Sequence, residues 1–263
     1  MAEEQLAGGN AGGAVRVGDT VRRPAGPWTP SVHALLAHLA GKGFAAAPRP
    51  LGFDDQGREV LTFLDGETIG SRTPRPAWVW AGDTLDQVAG WMRTYHQAVA
   101  DFVPPSGAVW RGGGTWSPGL IIAHNDAAPY NAAWQQGKLT GFFDWDFAGP
   151  ATPEWDLAFA AFSWVPLCAR QVAAAAGFSD FAARPGRLGR LLRTYGWSAA
   201  AGPFLDSAAA GPFLDVVAAR VRAHAGGIRD LAASGDEVFG RLLRQGVADD
   251  LDQAVAELAA FPR

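Results

Sequence analysis

Cysteine occurs once in this 263-residue chain, at Cys168. An intramolecular disulfide and a cysteine cage for a metal are therefore excluded, which fits a reducing compartment. A basic excess is also missing. The 22 Lys and Arg against 26 Asp and Glu leave a net charge of −4, so nothing supplies the basic face of a nucleic-acid binder. Long apolar runs are absent too. The longest uncharged one, Leu157 to Ala169, is too short to span a bilayer and contains Pro166. The opening residues Met1-Ala-Glu-Glu-Gln5 are acidic where a secretion signal is basic, and no apolar core follows them. A cytoplasmic protein without nucleic-acid or membrane partners is expected. What is abundant is apolar material. At 48% hydrophobic and 18% charged residues, the chain has enough for a sizeable core and too much for a disordered polymer.

The first third reads as strands and turns. Glycines from Gly8 to Gly13 precede Ala14–Val17, then a Gly18-Asp19 turn, then Thr20–Arg23. A helix follows, capped by Thr29, with Pro30 at its first position and Val32, Leu35, Leu36 and Leu39 on one stripe. Leu51–Phe53 and Glu59–Leu64 flank another turn at Asp54–Gly57. After Asp65-Gly66 the pattern becomes helical. Thr84 to Gln87 has the form of a capping box, and Leu85, Val88, Met92, Tyr95 and Val99 mark one face. Beyond residue 155 the pattern is helical to the end, with stripes at Leu214, Val217, Val221, Ile228, Leu231 and at Val247, Leu251, Val255, Leu258. The segment Ala199–Ser207 recurs as Ala208–Val216, a local duplication too short for a solenoid. An α+β fold is expected, with a small β-rich lobe over 1–66 and a larger, mainly helical lobe over 67–263.

The informative stretch is Leu120 to Leu157. A buried strand, Leu120–Ala123, leads to His124-Asn125-Asp126 and then Asn131. A hairpin follows, through Ala132–Trp134, a turn and Leu139–Phe143, and ends at Asp144. With Gly137-Lys138 as the two-residue turn, 134 faces 141 and Asn131 faces Asp144. Asp126 enters the same end. Two hard oxygen ligands with a third carboxylate nearby suit Mg²⁺, which takes its remaining oxygens from water and phosphate. A hydroxyl attacking a phosphate needs its proton accepted, which a positioned carboxylate does.

His124-x-Asp126-x₄-Asn131, then a hairpin and Asp144, then Pro153-Glu-Trp-Asp156-Leu-Ala158, resembles the aminoglycoside phosphotransferase family, within the protein-kinase-like fold. The resemblance implies a two-lobed fold and transfer of a nucleotide γ-phosphate to an alcohol group. It implies Asp126 as catalytic base, Asn131 and Asp144 as Mg²⁺ ligands, and Asp156 as a buried brace for the loop. ATP or GTP would be the donor, and an antibiotic or amino-sugar the acceptor.

The nucleotide side follows less closely. Gly9, Gly12 and Gly13 stand where backbone N–H groups would approach phosphates. The family's phosphate-binding lysine is absent from the next strand, which offers Arg22 and Arg23. Alternation along the strand favours Arg23, two residues past Val21. No acid occurs from Ser31 to Leu39, where a helix glutamate would pair with that cation. The stretch Phe63–Gly66, with Leu64, resembles the hinge that meets adenine. Asp249 and Asp250 open the last helix and are candidates for gripping a cationic acceptor, as is Trp164, one of eleven tryptophans, for stacking on it. A monomer or homodimer is expected. Three other readings stay open: a choline- or sugar-type metabolic kinase; a pseudokinase or immunity-type binding protein; and a phosphatase using His124, Asp126, Asp144 and Asp146 as metal ligands.

Overall fold

The computed structural model describes residues 3–6, 13–197 and 207–262. The chain divides into two compact units, residues 1–71 with 91–156, and residues 72–90 with 157–263. The segment around Asp126 and Asp144 thus groups with the amino-terminal strands, where the sequence suggested a division after residue 66.

The first unit is built on a five-stranded antiparallel sheet. Its strands are β1 (Glu4–Gln5), β2 (Val15–Val17), β3 (Thr20–Arg23), β4 (Pro50–Phe53) and β5 (Glu59–Thr62), in the order β1-β2-β3-β5-β4. Helix α1 (Thr29–Gly41) follows β3 and buries Val32, Leu35, Leu36 and Leu39, the stripe its 3.6-residue spacing predicts. It begins at Thr29 itself: Trp28 is the cap residue, and the Thr29 hydroxyl accepts from the Gly26 N–H at 2.9 Å. Because β3 and β5 are neighbours, Arg23 lies directly across from Glu59.

The remaining strands frame the candidate site. β6 (Glu67–Thr68), β8 (Ala132–Gln135) and β9 (Lys138–Phe142) form one small sheet, and β7 (Ile121–Ala123) pairs with β10 (Gly149–Ala151). Helix α2 (Gly82–Val99) buries Leu85, Val88, Met92, Tyr95 and Val99. The helix starts two residues before the expected cap at Thr84. Thr84 lies inside the helix, and its hydroxyl donates to the Trp78 carbonyl at 2.7 Å.

The second unit is helical: α3 (Pro153–Trp164), which begins in the first unit, α4 (Arg170–Ala175), α5 (Arg184–Tyr195), α6 (Ser207–Ala233), α7 (Glu237–Arg244) and α8 (Val247–Ala259). Helices α6 and α8 pack together, and Leu214, Val217, Val221 and Ile228 of α6 and Leu251 and Leu258 of α8 are buried, with Ala248 and Ala254 buried where the sequence pointed to Val247 and Val255. The second copy of the duplicated segment opens α6, while the first lies outside the described residues apart from Ser207. Among the described residues, no helix is long and apolar enough to cross a membrane.

Candidate functional site

The loop after β7 is fixed from beneath. Asp156 is fully buried and accepts the backbone N–H of His124 at 3.0 Å, that of Asn125 at 2.8 Å, and His96 Nε2 at 3.1 Å. Burial pushes the Asp156 pKa up. The hydrogen bond and charge of His96 overcome this, helped by the Asn125 N–H, and hold the carboxyl below its usual value. Asn125 adopts φ +62°, and its amide donates to the Phe147 carbonyl at 3.0 Å. His124 is buried among Trp91, Phe142 and Trp145, and its Nδ1 accepts the Asp126 N–H at 3.3 Å. These contacts present Asp126 at the loop's open side. Its Oδ2 accepts from Asn131 Nδ2 at 2.8 Å, and its Oδ1 from the Tyr130 hydroxyl at 2.6 Å.

The β8–β9 hairpin turns one residue earlier than expected. Gln136 and Gly137 take φ +51° and +74°, as a primed two-residue turn requires. Gln135 faces Lys138, and a register shift then sets Ala133 opposite Gly141. Asn131 therefore meets Phe143, whose N–H donates to its carbonyl at 2.9 Å, and not Asp144. Asp144 follows with φ +60°, which swings it out of the strand line. Trp145, almost fully buried, pins this corner by donating from Nε1 to the Phe142 carbonyl at 3.0 Å.

Arg23 reaches this corner. Its Nη1 donates to Asp144 Oδ1 at 2.8 Å, its Nη2 to Asp146 Oδ1 and its Nε to Glu59 Oε1. Burial alone would lower the Arg23 pKa; Asp144, Asp146 and Glu59 reverse the effect and keep the guanidinium charged. Glu59 is 1% exposed at its side chain, and its second oxygen meets His33 Nε2 at 3.0 Å. Burial raises the Glu59 pKa, but His33 and Arg23 hold it below the usual carboxylate range. Asp146 also accepts from Arg111 Nη1 at 3.1 Å, and burial pushes its pKa up against the pull of Arg23. The neighbouring Arg22 lies 3.8 Å from Asp54, so alternation sends it elsewhere.

Asp126 and Asn131 are thus joined side chain to side chain, Arg23 is joined to Asp144, and Asp144 directly follows the residue that pairs with Asn131. Asn131 spends its N–H₂ on Asp126, which leaves its carbonyl oxygen as a ligand, and Arg23 takes one oxygen of Asp144. An amide oxygen and a carboxylate oxygen form a hard donor pair that fits a divalent cation completed by water and phosphate. Among the described residues, no three His, Cys, Asp or Glu side chains are arranged as a metal cage. The phosphatase set is not formed, because His124 is buried on the Asp126 N–H and Asp146 is tied to two arginines.

The other candidates make none of these contacts or fall outside the described residues. Gly13 has φ +85° and is exposed, while Gly9 and Gly12 lie outside the described residues. Leu64 is half-buried just past β5. Trp164 has no exposed surface, so its ring is core packing and offers no face to a ligand. At the start of α8, Asp249 accepts from Arg229 at 3.3 Å and Asp250 from Gln171 Nε2 at 3.4 Å, so both carboxylates already have partners. Sequence reasoning missed Glu59, Arg111 and Tyr130. The one available signal was an acid at the head of the Glu59–Leu64 apolar run, where alternation places it on the Leu61 face.

Residues 97–190 match the model of the phosphotransferase enzyme family. A trifolitoxin immunity protein from Rhizobium leguminosarum bv. trifolii is 34% identical over 207 residues, covering 76% of this chain and 77% of that protein. The solved GDP complex of wild-type aminoglycoside 2'-phosphotransferase-IIIa is similar with a TM-score of 0.62 at 14% identity, covering 98% of this chain and 93% of that one. The apoenzyme of macrolide 2'-phosphotransferase MphH from Brachybacterium faecium is similar with a TM-score of 0.58 at 15% identity, covering 95% and 91%. These structural likenesses carry the fold, which is the protein-kinase-like one expected from the sequence.

Proposed function

This chain belongs to the phosphotransferase enzyme family, and from that premise we propose that it is a small-molecule kinase that moves the γ-phosphate of ATP or GTP to an acceptor hydroxyl. The observation that carries this reading is the Asp126 carboxylate, held by Asn131 on a loop that Asp156 braces, with the Arg23–Asp144 pair at the far end of the hairpin that follows. Asp126 accepts the proton of the attacking hydroxyl and aims its oxygen. Arg23 offers a forked cation to the phosphates. Asn131 and Asp144 would hold Mg²⁺, which supplies charge neutralisation to the phosphoryl oxygens. Gly13 stands with Gly9 and Gly12 as the proposed phosphate loop, and Leu64 as the adenine-side hinge.

The acceptor is proposed to be a cationic small molecule of the antibiotic or amino-sugar class, held in the cytoplasm by a monomer or homodimer. Asp249 and Asp250 would grip it by exchanging Arg229 and Gln171 for substrate ammonium groups. Calorimetry with MgATP and MgGTP, followed by a nucleotide-consumption screen over aminoglycosides, macrolides, choline analogues and sugars, tests the reading. Acceptor-dependent release of nucleoside diphosphate is expected. Absence of nucleotide binding would refute the reading.

A second reading has two specific supports. The 34%-identical relative is named an immunity protein, and Arg23 already occupies the carboxylate that a metal needs. Protection by binding, without turnover, follows if nucleotide binds and no acceptor consumes it.

A further inference from the structure

We infer that Glu59 is the positioning residue of the nucleotide site: from β5 it fixes Arg23 by its Nε edge and, through His33, ties helix α1 to that pair. The inference rests on the phosphotransferase reading above. Helix α1 has no acid facing Arg23, and the structure supplies one from the sheet instead. Arg23 and Glu59 are cross-strand partners, so register alone places their side chains together. Glu59 is the most buried of the three carboxylates on Arg23, at 1% exposure against 14% for Asp146 and 29% for Asp144. Its two oxygens are both used, one by Arg23 and the other by His33 at 3.0 Å.

A guanidinium carries its five donors in a rigid plane, so holding Nε fixes where both Nη groups point. They point at Asp144 and Asp146, the exposed end of the cluster. The buried contact is therefore the permanent one and the two outer contacts are exchangeable. A phosphate entering beside Asp144 would find the Nη edge already aimed. The role is one of orientation, because Glu59 itself is too buried to touch a ligand.

The test is a double-mutant cycle on nucleotide affinity, measured by calorimetry with MgATP and MgGTP on the full chain. Glu59→Gln keeps the shape and removes the charge. It should weaken nucleotide binding about tenfold, the loss of one charge-assisted contact. In an Arg23→Ala background the same change should have no effect, because Glu59 acts only through Arg23. Equal losses in both backgrounds, or no loss in either, would overturn the inference while leaving the phosphotransferase reading in place. If the wild type binds no nucleotide, both fall together. Should Glu59→Gln fail to fold, His33→Phe carries the test. It keeps the ring beside Phe53 and removes the hydrogen bond to Glu59. A loss of roughly threefold in affinity is expected, again abolished by Arg23→Ala. An unchanged affinity, or a loss that persists without Arg23, would contradict the assignment.

Discussion

Arg23 Nη1 donates to Asp144 Oδ1 at 2.8 Å, so a strand cation sits on the carboxylate proposed to hold a metal. Metal and guanidinium then compete for one group. Arg23→Ala also strips the counter-charge from Glu59 and Asp146. The variant should bind Mn²⁺ or Mg²⁺ roughly three- to tenfold more tightly in the absence of nucleotide, while binding nucleotide more weakly. Calorimetric titration with each ligand alone checks this. Metal affinity that is unchanged or lower would mean that Asp144 is not the metal carboxylate.

Tyr130 holds one oxygen of the proposed base through a 2.6 Å hydrogen bond. An acceptor hydroxyl must displace it or use the other oxygen, which Asn131 already occupies. Tyr130→Phe should therefore raise kcat/KM for the acceptor by about two- to fivefold, the net worth of one such bond, and leave nucleotide affinity alone. A loss of tenfold or more in steady-state assays would instead make Tyr130 the group that orients the carboxylate.

His224 in α6 gives the second unit a pH signature. Burial, assisted by Arg220, pushes its pKa down to about 4 from an ordinary value near 6.5. Because the folded pKa is the lower one, the associated stability is fully present above about pH 6.5 and is lost progressively as pH falls to about 4. The unfolded chain takes up a proton in that window and the folded chain does not. The total is at most about 3 kcal/mol, of which about 2 falls between pH 7 and pH 5. Urea unfolding of wild type and His224→Gln at pH 7 and pH 5 measures it: the wild type should lose about 2 kcal/mol more than the variant. Equal losses would place the titration elsewhere.

Much of the site was legible because its chemistry lies in one contiguous stretch. His124, Asp126, Asn131, Asp144 and Asp156 are separated only by a short hairpin and a turn, and local spacing nearly suffices to bring them together. It fell short by one residue. The turn formed at Gln136-Gly137 and a bulge shifted the pairing, so Asn131 faces Phe143, and Asp144 follows with a positive φ. Glu59 was not legible. It meets Arg23 across 36 residues that include α1 and β4, and only the sheet order β3-β5-β4 makes them neighbours. The acids at Asp249 and Asp250 read as an open anionic face in the sequence. Their partners Arg229 and Gln171 come from other helices and leave no local trace.

The central claim is that Asp126 accepts a proton during phosphoryl transfer. Its most direct test is acceptor-dependent nucleoside diphosphate release by wild type and Asp126→Asn, using the best acceptor from the screen, with nucleotide affinity measured in parallel. Turnover should fall roughly 10²–10⁴-fold with nucleotide binding nearly unchanged. Wild-type turnover in the Asn variant would contradict it.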